Sequence, residues 1–218
     1  MLAQRNDQAT ISIPGALRLV GIIGGSWAIL VIIAAVVAYL PEHPDFSPFT
    51  TYLSDIGDTP GWPQILFNSG TLIATPIRYI VLVLLVLRLI QLGAGRAFSV
   101  AALIIGFAST SGTALMTATP FSVSPIVHKT GIGLYFLGVV ILQSLIFVKE
   151  WSLKGVPKFL PVLSLGMVVL YCIFVSLMVL YEKGMVSRST PMIWEWLAIS
   201  LSIVWMLAQS LRLGDVGK

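Results

Sequence analysis

Six stretches of this chain, residues 17–40, 64–91, 97–119, 126–148, 158–181 and 190–212, are long and apolar enough to cross a bilayer, which leaves little choice of fold. At 1.5 Å per residue, each exceeds a hydrocarbon core of ~30 Å. A transmembrane barrel would instead show ten-residue alternating segments, and none appears. Pro41 and Pro44, Gly93 and Gly95, Pro120 and Pro125, Gly155 and Pro157, and Gly184 and Pro191 punctuate the gaps. No period of 20–50 residues repeats. The expectation is an all-α polytopic membrane protein, with six transmembrane helices forming one bundle as a single domain over residues 1–218. By far the longest loop is 41–63.

Composition agrees, since 57% of the residues are hydrophobic and only 10% charged, whereas a soluble domain carries about 25% charged residues. The net charge of +4 does not point to a nucleic acid, because the basic residues sit mostly in short loops beside the spans. With the N-terminus inside, nine face the cytoplasm: Arg5, Arg18, Arg88, Arg96, Lys149, Lys154, Lys158, Arg212 and Lys218. Three face outward: Lys129, Lys183 and Arg188. This bias places both termini in the cytoplasm. Glu42, Asp45, Asp55, Asp58 and Glu182 then make the outer face acidic. The first 16 residues are largely polar, and the run 17–40 is too long for a signal-peptide core, so it reads as a retained first span. The lone Cys172 excludes a disulfide framework and a thiolate metal site. Gly21 and Gly25 have the spacing that permits close helix approach.

Glu195 lies one turn inside the last span, between Trp194 and Trp196. A carboxylate within a span costs up to about 2.5–3.5 kcal/mol at the centre, so it calls for a partner. The candidates are His128, Asp55, Asp58 and Arg78, all but the last at the outer end of the bundle. At the same end, the topology collects Ser54 and Asn68 together with Ser109, Ser111, Thr113, Thr117 and Thr119 of the third span. A polar cavity in the outer leaflet accounts for this clustering. Each residue also has a plain structural reading. Asp55 and Asp58 suit a turn or a helix cap, the Ser/Thr hydroxyls can bond preceding carbonyls, and Glu195 can fix helix register against Lys129 or Arg78. Arg78 follows Pro76 deep in the second segment, so either the helix kinks there and Arg78 pairs inside the bundle, or the segment is displaced. A histidine with carboxylates suits acid–base chemistry or a metal. Zinc on His128, Asp55 and Glu195 would be short of histidines, since the chain has only His43 and His128. No metal and no cofactor is therefore expected. The chain has no GxSxG elbow, HExxH, P-loop or dinucleotide fingerprint, and no mid-membrane lysine for a retinal Schiff base.

Pro48-Phe49-Thr50-Thr51-Tyr52-Leu53-Ser54-Asp55-Ile56-Gly57, followed by Pro60 and Phe67, resembles the first outer loop of the FRAG/DRAM/SFK superfamily. Those six-span proteins include the damage-regulated autophagy modulators and the factors that remodel the lipid of GPI anchors. Arg78-Tyr79, His128 and Glu195-Trp196 are similar to that family's positions in the second, fourth and sixth spans. Leu66-Phe67-Asn68 is also similar to a related prokaryotic six-span family of unassigned function. The resemblance implies a lipid-facing role at the outer or lumenal leaflet, with Asp55, Arg78, His128 and Glu195 as the family-like positions. The short tail without sorting signals points to a prokaryotic cell membrane.

Three functions follow as expectations. The first is a non-catalytic protein of lipid-handling or regulatory role. Its cavity would recognise a lipid headgroup through Ser54, Asp58, Asn68, Arg78 and Lys129, with membrane lipids and other membrane proteins as partners. The second is a lipid-remodelling hydrolase or acyl transferase, with His128 as general base oriented by Asp55 or Glu195. The third is a proton-coupled transporter, disfavoured by the absence of an inverted repeat and by few polar residues in the inner halves of the spans.

Overall fold

The computed structural model describes residues 12–214; Arg5 and Lys218, two of the basic residues in the charge count, lie outside it. Six long helices are α1 (Ile13–Tyr39), α3 (Trp62–Gln91), α4 (Arg96–Ala118), α5 (Pro125–Ser152), α6 (Phe159–Glu182) and α7 (Ser189–Leu213). All six are long and apolar enough to span a membrane. Their ends lie close to those read from the hydropathy pattern, the largest offsets being 17 against Ile13 and 148 against Ser152. A short helix, α2 (Leu53–Asp58), lies in the loop that joins the first two spans. The apolar runs do not announce it, because it is only six residues long.

Local chemistry sets the helix ends. Ser12 caps α1 by accepting from the Gly15 N–H at 3.2 Å. Pro63 and Pro125 occupy first-turn positions of α3 and α5, where a missing N–H is harmless. Gly93 ends α3 with a φ of 103°, which lets the Ala94 N–H turn back to the Leu89 carbonyl at 2.8 Å. Pro76 does not break α3, and the helix runs on through Arg78 to Gln91.

The six spans form a closed ring in which α1 touches α3, α3 touches α4, and so on round to α7, which returns to α1. An even number of alternating spans puts both described ends on the same side, where Gly214 packs on Arg18 and the Pro14 carbonyl. Small residues set the closest approaches. A Cβ at Gly21 or Gly25 of α1 would run into Ser210 or Leu207 of α7, so the glycine pair of the first span is a helix contact. Between α4 and α5 the backbones themselves touch: a Cβ at Gly112 would lie 2.6 Å from the Tyr135 nitrogen and 2.7 Å from the Gly131 carbonyl oxygen. Gly138 packs on Ser109 in the same seam. Trp27 of α1 reaches α3 by donating to the Gly70 carbonyl at 2.9 Å.

The half of the bundle away from α2 is more polar inside than its sequence suggests. Glu150 is fully buried, and its Oε2 accepts from Gln209 Nε2 at 3.1 Å. Nearby, Trp205 donates to Ser164 Oγ at 2.8 Å, and Arg88 donates to the Leu213 carbonyl at 3.1 Å. The reading of a polar-poor inner half is thus corrected, because α7 supplies three of these groups and α3, α5 and α6 one each, so they meet only in three dimensions. Glu150→Gln keeps an acceptor for Gln209 and is expected to leave the thermal unfolding temperature in detergent almost unchanged. Gln209→Leu removes the donor and leaves a buried carboxyl short of a partner, so it should destabilise by about 2 kcal/mol. Equal melting curves for wild type and Gln209→Leu would contradict this.

Candidate functional site

The α2 segment roofs one end of the ring, and three short motifs hold it there. Glu195 Oε2 accepts from the Leu53 N–H at 2.7 Å, so the carboxyl sits on the first turn of α2, where backbone donors are otherwise unpaired. Trp196 donates its indole N–H to the Thr51 carbonyl at 2.9 Å, and Trp194 packs with Tyr52, Phe174 and Met192. The partner of Glu195 is therefore the N-terminus of α2 rather than Lys129 or Arg78, the register partners considered from sequence.

Asp55 closes the same first turn by accepting from the Tyr52 N–H at 3.0 Å. It also pairs with Arg188, which precedes α7, at 2.7 Å to each carboxylate oxygen. Burial opposes the charge on Arg188, but the hydrogen bonds and negative charge of Asp55 outweigh this and raise its pKa further. The guanidinium carbon lies 5.1 Å from the Tyr52 ring centroid, and the Tyr52 hydroxyl donates to the Arg188 carbonyl at 3.1 Å. Burial, with the neighbouring Glu195 carboxylate, raises the Tyr52 phenol and keeps it a donor. Ile56 is fully buried. Gly57 lets α2 settle on α3: a Cβ there would lie 2.7 Å from Phe67 and 2.9 Å from Asn68, while Asn68 donates to the Gly57 carbonyl at 2.8 Å. Asp58 at the far end of α2 accepts from Ser122 at 2.6 Å. The Ser-Asp-x-Gly loop and the Glu-Trp pair of the last span are thus two halves of one latch.

Beneath α2 lies a cavity of about 990 Å³, at the top of the ~300–1,000 Å³ range of small-molecule sites. Seven of the eight candidate residues line it, namely Ser54, Asp55, Asp58, Asn68, His128, Lys129 and Glu195. Arg78 does not. Below this polar rim the walls are mostly apolar, with Phe136, Leu137 and Val140 of α5 facing Phe174, Val175 and Val179 of α6. Gly133, Leu137, Cys172, Val175 and Val179 line the cavity and are also exposed, so it opens sideways between α5 and α6. The Lys129–Glu182 ion pair, at 3.6 Å, crosses the top of that opening.

His128 sits at the rim, and its Nδ1 lies 2.9 Å from the Met116 carbonyl and 3.0 Å from that of Thr119. Two carbonyls can only accept, so Nδ1 carries a proton and donates to them. These carbonyls orient the ring; of the two residues assigned that task from sequence, Glu195 is engaged by α2 and Asp55 by Tyr52 and Arg188. No group of three or more His, Cys, Asp or Glu is placed to hold a metal ion among the described residues. Within the Ser/Thr cluster of α4, Thr113 bonds the carbonyl one turn back, as the neighbouring Thr110 does, while Ser109 crosses to the Tyr135 carbonyl at 3.2 Å.

Arg78 lines a second, inner cavity of about 210 Å³. Its guanidinium carbon is 5.3 Å from the Tyr135 ring centroid, and no carboxylate pairs with it among the described residues. The expected internal pairing is thus with an aromatic ring. Arg188, Tyr52, Tyr135 and Glu150 are the site and core residues that sequence reasoning passed over. Arg188 had a usable signal, as a cation just ahead of the span that carries Glu195.

A closed ring of six apolar helices with a roofed, laterally open cavity defines a polytopic integral membrane protein. The chain belongs to the Frag1/DRAM/Sfk1/Cwh43P N-terminal domain family, whose model matches residues 16–211. No curated protein and no solved structure matches it.

Proposed function

We propose that this protein binds a membrane lipid in the large cavity, in a lipid-handling or regulatory role. The headgroup sits under α2 against Lys129, His128 and Arg188, and the acyl chains lie between α5 and α6. The charge count supports an outer-leaflet position for this end. One observation carries the reading: the cavity is mostly apolar within, carries its charged groups only at the α2 rim, and opens towards the lipid phase. A soluble ligand would need an aqueous entrance, whereas a lipid enters through the side.

Cys172 gives a direct probe, because it is the only cysteine, is exposed, and lines the lateral opening. Delipidated protein should react readily with a membrane-permeant thiol reagent. Added phospholipid should slow that reaction in proportion to occupancy. A labelling rate indifferent to phospholipid would count against lipid in the cavity.

One observation favours the lipid-remodelling alternative, namely His128 at the cavity rim, with Nδ1 on two carbonyls and no hydrogen-bond partner for Nε2 among the described residues. A base there could take a proton from a water or a lipid hydroxyl. Mass spectrometry of lipids incubated with wild type and with His128→Ala separates the two readings. Turnover by wild type alone supports the enzyme, and unchanged lipids in both support the binding role.

A further inference from the structure

Arg78 stands 16 residues from the start of α3 and 13 from its end, so it lies about 24 Å and about 20 Å from the two ends at 1.5 Å per residue. This is mid-membrane, where a cation needs compensation. What surrounds it is a hydrogen-bonded chain. Arg78 lies on Tyr135, its guanidinium carbon 5.3 Å from the ring centroid, Tyr135 meets the Tyr171 hydroxyl at 2.7 Å, and Tyr171 meets Ser202 Oγ at 2.7 Å. Ser202 in turn donates to the Ala198 carbonyl at 2.8 Å. A carbonyl can only accept. The chain therefore has one polarity, and every hydroxyl proton in it is engaged.

Of the other hydroxyls around the inner cavity, those of Ser109, Thr110 and Thr113 donate to backbone carbonyls, while Thr71 and Thr117 also line the space. Two stronger donors face it as well. The guanidinium of Arg78 has five N–H groups. Gln143, buried to 3% exposure, makes no side-chain hydrogen bond among the described residues: its Oε1 is a buried acceptor without a partner, and its Nε2 is a donor left unengaged. Both side chains line the same space of about 210 Å³, roughly seven times the ~30 Å³ share of one water molecule. That space is too small for a lipid but admits a small anionic group.

We propose that this inner cavity is a site for a carboxylate or phosphate group, held by the Arg78 guanidinium fork and the Gln143 amide. The planar guanidinium matches two oxygens of such a group at once. The group has two possible sources. One is a free anion. The other is the acidic end of a lipid in the large cavity, since Phe67, Met116, Tyr135 and Ile199 line both spaces. The proposal does not rest on lipid occupying the large cavity.

The test is equilibrium dialysis of delipidated protein at fixed ionic strength in sodium chloride, with labelled phosphate, labelled acetate or labelled oleate. Wild type is expected to bind about one equivalent of at least one probe, with affinity lowered about tenfold or more by Arg78→Gln and by Gln143→Leu. Two variants are used so that a folding defect in one does not decide the matter. Binding of phosphate or acetate marks a free anion. Binding of oleate alone, lost in both variants, marks the acid group of a lipid. If no probe binds wild type, or if both variants bind as wild type does, the proposal is overturned. Protection of Cys172 by zwitterionic phospholipid is read separately, so the two ideas fail independently.

Discussion

Glu195→Ala is expected to free α2 from α7 and raise amide exchange over residues 53–58 by roughly 10- to 100-fold. The estimate follows from losing a charge-assisted hydrogen bond worth about 1.5–3 kcal/mol, with tenfold for each ~1.4 kcal/mol. It is a local effect, because α2 is an element of only six residues whose opening need not unfold the spans. Glu195→Gln retains an oxygen that accepts from Leu53 N–H, and should raise exchange by less than about tenfold. Arg188→Gln should do less still, because the Arg188 and Asp55 side chains are 49% and 30% exposed and such pairs contribute about 0–1 kcal/mol. Hydrogen exchange with mass spectrometry on the three variants orders these contributions. Unchanged exchange in Glu195→Ala would mean that the latch is not what holds the roof.

Gly112→Val should be the most damaging single substitution in the bundle. Its Cβ would meet the backbone of Tyr135 and Gly131, not the flexible end of a side chain, so α4 and α5 must separate along the seam. Overpacking against backbone costs about 3 kcal/mol or more. That separation would also disturb Tyr135, which stands between the two cavities. The expected result is little or no monodisperse protein on size-exclusion chromatography. Gly133→Ala, two residues beyond Gly131, is the control, since its Cβ meets nothing within 4 Å. Comparable yields from both variants would refute the α4–α5 contact.

The spans were legible because a bilayer imposes one length and one polarity on every segment that crosses it. Convergence at the α2 end was legible too, since six alternating spans fix which residues share a depth even when helix rotation is unknown. The pairings were not. Glu195 looked in need of a charged side chain, but a short helix N-terminus met that need with a backbone N–H, which carries no sequence signature. His128 was expected beside a carboxylate and is held by two carbonyls for the same reason. The α4–α5 seam was missed because Gly112 and Gly131 lie on different helices, so no spacing rule within one span reveals them. By contrast, Gly21 and Gly25 share a span, and their spacing was informative. Glu150 stayed hidden because its partner Gln209 is 59 residues away in the chain.

The central claim is that a membrane lipid occupies the cavity beneath α2, and native mass spectrometry of the protein released from detergent tests it most directly. Wild type should carry a lipid-mass adduct. Gly133→Trp, which places a large ring in open space at the lateral mouth, should fold and lose that adduct. A wild-type protein free of lipid under conditions that retain lipid on other membrane proteins, or equal adducts on both forms, would contradict the account.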